Sequence, residues 1–336
     1  MKASVLLGHG GLEQITLQRD FPAPEPAADE VVVKVAASAL NYHDVFTRRG
    51  MPGIKIAFPL ITGSDVAGTV SAVGAEVRDW QPGDRVLVDP VDHASTTPNL
   101  IGETRHGGRA EFVAVPARQL IVVPPGVSLE QAASLPLAYA TAHRMLNTIG
   151  QVRAGEAVLV LGASGGVGTA CVLLAKLLGA RVFACAGSEE KSARLRELGA
   201  EQVFDYRQND WPKSVQAVLG KPRVMGPGGA DVVVNFTGGD TLMPSLKCLG
   251  RGGRLLNCGA TAGFDTRLDL RYLWSFEHRL LGSNGWQRAD LEQLLQQVAA
   301  GRLSPVIDRV FPLEETPDAE RLLEERGVFG KILVRP

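Results

Sequence analysis

Residues 157–191 read AVLVLGASGGVGTACVLLAKLLGARVFACAGSEEK, and this stretch restricts the fold more than any other in the chain. An apolar run of strand length leads into a glycine-rich turn. An apolar helix follows, stops at Gly179, and gives way to a second apolar run. That order is a βαβ unit with its glycines at the first strand-to-helix turn. The helix start offers unpaired N–H groups and a partial positive charge, which suit a pyrophosphate. The fingerprint runs Ala163-Ser164-Gly165-Gly166-Val167-Gly168, with alanine where the usual GxGxxG has its first glycine. Gly165 lets the backbone approach the phosphates, and Gly168 lets the helix pack on the strand. Glycines of this kind also serve packing alone; the strand before and the helix after favour a bound dinucleotide.

The end of the second strand selects among dinucleotides. An acidic residue there would accept the ribose 2′-hydroxyl and repel a 2′-phosphate. This chain has Gly187 and Ser188, with Lys191 beyond, and Tyr206-Arg207 ends the third strand on the same side. A small residue, a hydroxyl and cations suit NADPH better than NADH. Glu189 and Glu190 count against this unless they serve the first turn of the next helix.

The remaining patterns divide the chain. With 336 residues, it exceeds one core of ordinary size. Up to about residue 120 it has short β-branched runs (31–35, 68–73, 85–88, 110–115) punctuated by Gly and Pro, the pattern of a small antiparallel barrel or sandwich. A helical turn is expected over residues 39–50 and a polar surface loop over 90–109. Ser128 and Gln131 form a capping box. From residue 156, strands apolar on both faces alternate with helices, which implies a parallel sheet covered on both sides. Residues 270–281 and 289–299 read as helices, and 306–311 and 331–334 as strands that complete the N-terminal β domain. The fold class is thus α/β, with a β-rich domain beside a doubly wound one. Its expected boundaries are residues 1–124 plus 266–336, and 125–265.

Charge and cysteine usage exclude several classes. The formal net charge is −1, so the overall field predicts no nucleic-acid partner. No apolar run is long enough to cross a bilayer, and the N-terminus makes a poor signal peptide; a cytoplasmic protein is expected. Cys171, Cys185, Cys248 and Cys258 contain no CxxC pair and read as small apolar fillers.

The fingerprint, together with Gly63-Ser64-Asp65-Val66-Ala67-Gly68, Gln81-Pro82-Gly83-Asp84-Arg85-Val86 and Ala186-Gly187-Ser188-Glu189-Glu190-Lys191, resembles the medium-chain dehydrogenase/reductase superfamily. The likeness is strongest to its zinc-independent quinone oxidoreductases of the zeta-crystallin type. It implies a GroES-like β domain built from both termini, joined to a Rossmann domain. Zinc-dependent members carry ligands where this chain has Asn41, Ser64 and Leu137, none of which ligates zinc; no metal is expected. A site built from His43, Asp44 and Asp65 is the remaining metal alternative. Without a Lewis acid, the reaction implied is hydride transfer from NADPH to a quinone or an α,β-unsaturated carbonyl. The resemblance points to Asn41, Tyr42 and Asp44 as catalytic candidates. For the cofactor it adds Thr141, Gly259, Ala260, Ser283 and Asn284 to Ala163, Ser164, Gly165, Gly166, Val167, Gly168, Gly187, Ser188, Lys191 and Tyr206. Tyr42, Tyr139 or solvent supplies the proton. A homodimer with a small-molecule substrate is expected. The alternatives are an alcohol dehydrogenase with a non-standard site and a non-catalytic NADPH-binding protein.

Overall fold

The computed structural model describes every residue except 52, 54 and 98. The chain divides into two compact units, Met1–Ala138 with Gln287–Pro336, and Tyr139–Trp286. These boundaries lie about a dozen to twenty residues beyond those expected, for identifiable reasons. Residues 125–138 include helix α2 (Leu129–Ala133), which packs on the β strands of the first unit. Residues 266–286 supply a sixth strand to the second unit.

In the first unit, β1 (Ala3–Leu6) pairs with β2 (Ile15–Gln18) and β4 (Leu60–Ile61) in a small sheet. The larger sheet is organised around β3 (Glu30–Ala39). Its first half pairs with β7 (Phe112–Pro116), and its last residues pair with β16 (Lys331–Arg335). On the other edge β3 meets β5 (Asp65–Val73), which leads on to β6 (Arg85–Val88) and β8 (Leu120–Val122). Register shifts in the β3–β5 pairing, at Val32/Val33 and Val35/Ala37, bend the strand. As expected, the C-terminal strands β15 (Ile307–Pro312) and β16 complete this sheet; they run parallel. A helix absent from the sequence reading, α10 (Thr316–Glu324), connects them, as a parallel pair requires. Alternate positions of the sheet, Val31, Val33, Val66, Val70, Val86, Val113 and Leu120 among them, form a dry core.

Helix α1 (Tyr42–Arg49) is tied to α10 by buried charges. Arg48 Nε donates to Glu320 Oε2 at 2.8 Å, Arg109 Nη1 to Glu320 Oε1 at 2.5 Å, and Arg109 Nη2 meets Asp44 Oδ2 at 2.7 Å. Arg48 and Arg109 are among the largest fully buried side chains of the chain.

The second unit is a six-stranded sheet with every pair parallel, in the order β11 (Gln202–Asp205), β10 (Arg181–Ala186), β9 (Ala157–Val160), β12 (Ala230–Val234), β13 (Leu249–Asn257), β14 (Arg279–Gly282). This is the doubly wound order, with its switch point between β9 and β12. Leu159 and Leu161 face a cluster containing Phe183, Phe204, Trp211, Val215 and Leu246, while Val158 and Val160 on the other face are also buried. Residues 270–281 were expected to be one helix. Instead α8 (Leu270–Phe276) ends where Glu277 turns left-handed at φ 55°, and β14 follows. Cys171, Cys185 and Cys248 are buried and all four thiols are free, so they pack as fillers. Among the described residues no helix is long and apolar enough to cross a membrane.

Removing Glu320 would leave two buried guanidinium groups without their shared carboxylate. Glu320→Ala should lower the stability of the first unit by about 3–5 kcal/mol, measured by urea denaturation.

Candidate functional site

The register of the first unit gathers three polar residues at one end of its sheet. Ala39 lies opposite both Asp65 and Leu333, so Asn41, Asp65 and Lys331 come together. Lys331 is 2% exposed. Its ammonium donates to Leu40 O at 2.9 Å, Asn41 Oδ1 at 2.5 Å and Asp65 Oδ2 at 3.1 Å. The other oxygen of Asp65 accepts the Leu137 N–H at 3.0 Å. Complete burial pushes the Asp65 carboxyl above its usual value, against the opposing pull of Lys331, Asn41 and Leu137. The Asn41 amide nitrogen points to Ser64 Oγ at 3.4 Å. Asn41 touches an interior cation belonging to the protein, and Ser64 and Leu137 are joined to it through Asn41 and Asp65.

This placement bears on two of the catalytic candidates. Asn41 is 5% exposed and its side chain is held by Lys331 and Ser64. Asp44 accepts the Asn41 N–H at 2.8 Å and pairs with Arg109, so its carboxylate fixes the start of α1. Both side chains are thus engaged by protein groups. Tyr42 is partly buried and meets Phe46 edge-on at 5.2 Å. Asp44 is held by Arg109 and Asp65 by Lys331, while His43 turns to Glu103; among the described residues no group of three or more His, Cys, Asp or Glu side chains could hold a metal.

The His43–Glu103 pair escaped the sequence reading. Nε2 of His43 hydrogen-bonds Oε2 of Glu103, a carboxylate that comes from the stretch read as a polar surface loop yet is itself buried. Burial pulls the imidazole pKa down, but the hydrogen bond and charge of Glu103, with the charge of Asp44, outweigh it and raise the value above normal. No spacing signal links residues sixty positions apart.

In the second unit the fingerprint turn behaves as its glycines imply. Gly162 leaves β9 at φ 62°. A Cβ on Gly168 would lie 2.3 Å from Gly162 O and 2.6 Å from the Ala163 backbone, so packing alone demands glycine there. Gly165 differs: a Cβ would meet nothing nearer than Gly162 O at 3.7 Å. The space beside it lies at the N-cap of α4 (Gly166–Leu177), and the cradle fits a pyrophosphate. Ala163 is buried, while Ser164, Gly166 and Val167 remain partly exposed around it.

Beyond β10, Tyr206 covers Gly187 so closely that a Cβ there would come within 2.8 Å of its hydroxyl oxygen. Ser188 caps α5 (Glu189–Glu197), accepting the Lys191 N–H at 3.2 Å. Glu189 pairs with Arg196, in keeping with a helix-end role, and Arg207 is bound to Asp205. At the switch point, Asn235 and Asn257 were not foreseen, yet they build the loops. Asn235 Oδ1 accepts the N–H groups of Thr237 and Gly238, and Asn257 Nδ2 donates to Asn235 O and Gly259 O. The Ser283 N–H reaches Asn257 O at 2.8 Å. Gly259, Ala260 and Ser283 are thus carried at the ends of neighbouring strands, with Asn284 exposed beside them. Thr141 is buried where a π-helical stretch (Leu135–Ala140) gives way to a short α-helical turn.

Comparison with known proteins agrees with this construction. The family described as "Alcohol dehydrogenase GroES-like domain" matches residues 27–125, and "Zinc-binding dehydrogenase" matches 166–300. The "Quinone oxidoreductase" of Mus musculus is 31% identical, over 99% of this chain and 97% of its own. The chain belongs to the medium-chain dehydrogenase/reductase superfamily, quinone oxidoreductase type. The "NADPH-dependent alkenal/one oxidoreductase, chloroplastic" of Arabidopsis thaliana is 32% identical, over 100% of this chain and 80% of its own. A crystal structure of an "NAD-dependent alcohol dehydrogenase" superposes with TM-score 0.93 at 38% identity, over 100% of both chains. As a superfamily member related to enone- and quinone-reducing enzymes, the protein is an oxidoreductase that uses a nicotinamide cofactor.

The two fingerprint glycines should separate in experiment. Gly165→Ala should leave the melting temperature within about two degrees of the parent and weaken NADPH binding, read by fluorescence titration, at least tenfold. Gly168→Ala should destabilise the fold itself, by roughly 1–3 kcal/mol.

Proposed function

We propose that the protein reduces a quinone or an α,β-unsaturated carbonyl compound with NADPH and without a metal. The observation that carries this reading is Lys331. Its ammonium sits among Asn41, Asp65 and Leu40, a donor set with no thiolate or imidazole, and such a set does not suit zinc. NADPH, when bound, supplies the hydride. The protein's share is to bind, orient and exclude water. The α4 N-terminus and Gly165 hold the pyrophosphate. No carboxylate ends β10; Gly187 and Ser188 follow it instead, and Lys191 and the Tyr206 hydroxyl beside Gly187 would meet a 2′-phosphate. Loops 236–241, 258–263 and 283–285, fixed by Asn235 and Asn257, carry the nicotinamide end.

The relatives that reduce quinones and alkenals support this substrate class. The 38% identical structure favours a second reading, NAD-dependent alcohol oxidation. Cytoplasmic location and a homodimer complete the proposal. For the latter, β14 forms the outer edge of its sheet, and Trp274 and Leu280 nearby are exposed.

NADPH oxidation followed at 340 nm, with a small quinone and with an enone, should proceed at the same rate before and after treatment with a chelator. Loss of activity on chelation would refute the metal-free reading. Turnover with ethanol and NAD⁺ in place of NADPH and the enone would establish the second reading.

A further inference from the structure

A cavity of about 350 Å³ lies wholly within the second unit. Its walls come from α6 (Trp211–Leu219), from Lys221 and Pro222 just beyond it, from α7 (Leu242–Leu246) with Lys247 after it, and from α8. The same helices pack into the core around Leu159 and Phe183 through Trp211, Val215, Leu246 and Tyr272. The residues lining the cavity include none of the fingerprint turn, nor Gly187, Ser188, Lys191 or Tyr206.

Charge and aromatic surface meet in this cavity. Three lysines line it, Lys213, Lys221 and Lys247, against one carboxylate, Asp210. That carboxylate is already engaged, because Lys213 Nζ donates to Asp210 Oδ2 at 2.9 Å. No carboxylate of a described residue pairs with Lys221 or Lys247. The excess positive charge favours an anion. Tyr272 and Phe276, one turn apart on α8, supply a second kind of surface. Their rings stack with centroids 5.5 Å apart and planes within 13°. Phe276 stacks in turn on the buried His278 ring at 5.4 Å, and His278 Nε2 donates to Leu249 O at 3.1 Å. Burial holds the His278 pKa below normal, so this imidazole adds no charge at neutral pH. The lysines stand on a fixed frame. Gln216 Nε2 donates to Lys247 O at 2.8 Å and ties α6 to the end of α7. The Gly229 N–H donates to both Leu219 O and Gly220 O at 3.0 Å, which folds the connection carrying Lys221 back on α6. Gly228 has φ 129°, and a Cβ on it would stand 2.4 Å from Lys221 O, so this close approach requires glycine.

We infer that this cavity binds a small planar aromatic anion, its ring against Tyr272 and Phe276 and its anionic group at Lys221 and Lys247. The volume is at the small end of ligand pockets and takes a molecule of bicyclic size. A flat ring gains most from the two aromatic side chains. Lysine ammonium groups act as point charges without the fixed fork of arginine, so they accept a carboxylate or a phosphate. The inference stands apart from the identity of the hydride acceptor.

Isothermal titration calorimetry on the full chain, with NADP⁺ present at saturation, tests it. Naphthoate and naphthyl phosphate present the same ring with the two anionic groups. At least one of them should bind with a dissociation constant below about 1 mM, and whichever binds more tightly identifies the preferred anion. Naphthalenemethanol, which keeps the ring without the charge, should bind about tenfold more weakly. Replacing both cations, by Lys221→Ala with Lys247→Ala, should weaken the anion about tenfold and leave the melting temperature within about two degrees of the parent. Phe276→Leu should weaken it about threefold. No heat from either anion, equal binding of naphthalenemethanol, or unchanged binding in either variant overturns the assignment.

Discussion

The arrangement of the first unit depends on the carboxylate of Glu320. One helix, α10, presents it to two guanidinium groups at once, Arg48 on α1 and Arg109 at the end of the 90–109 loop. Arg109 passes the connection on to Asp44, which receives the Asn41 N–H and so fixes the first turn of α1. Everything at that turn, from Tyr42 to His43, takes its direction from this chain of charges. Such charges are costly to bury, and their mutual attraction repays this only where the geometry is good. Thr62 Oγ1 and Gly10 O take up further guanidinium donors, while Arg109 Nε is buried without a hydrogen-bond partner. The C-terminal segment therefore contributes more than sheet edges, because it supplies the acid that orients a helix almost three hundred residues earlier in sequence.

Sequence patterning revealed the second unit better than the first. Its strands are buried on both faces, and helices with clear stops separate them, so β9 to β13 were legible as apolar runs. β14 was not, because RLLG continues the apolar pattern of α8, and only the left-handed Glu277 separates the two. In the first unit the β-branched runs marked β3, β5, β6 and β7. The short strands β4 and β8 carry too few residues to show a period. Helix α10 was missed because its sequence, TPDAERLLE, is mostly charged, and its buried acid is recognisable only once the arginines facing it are known.

The candidate site was legible as chemistry and illegible as geometry. That positions 41, 64 and 137 carry no thiolate or imidazole is read from residue identity alone. What occupies the place instead could not be read. Lys331 looked like an ordinary residue at the start of a strand, and only the bend of β3, which brings Ala39 between Asp65 and Leu333, delivers its ammonium to Asn41. The same holds for Glu103 and His43, and for Asn235 and Asn257. Each joins segments that no local period connects. The glycine turn was the opposite case: its function follows from a backbone geometry that a few adjacent residues specify on their own.

An interior ammonium could be taken for a substitute Lewis acid. Its hydrogen bonds argue otherwise. The three N–H bonds of Lys331 meet three oxygens of the protein itself, and a lysine has no further donor to offer a substrate. Its charge is balanced at once by Asp65. A metal differs in kind, because it keeps a coordination position open to the reacting oxygen. Lys331 therefore neutralises and orders this end of the sheet without polarising an alcohol or carbonyl. Under the proposed function, the burden then falls on the acceptor, which must already be electron-poor enough to take hydride unaided. Quinones and conjugated carbonyls satisfy this, and simple ketones do not. The substrate class proposed above thus rests on one feature, the commitment of all three Lys331 donors to the protein.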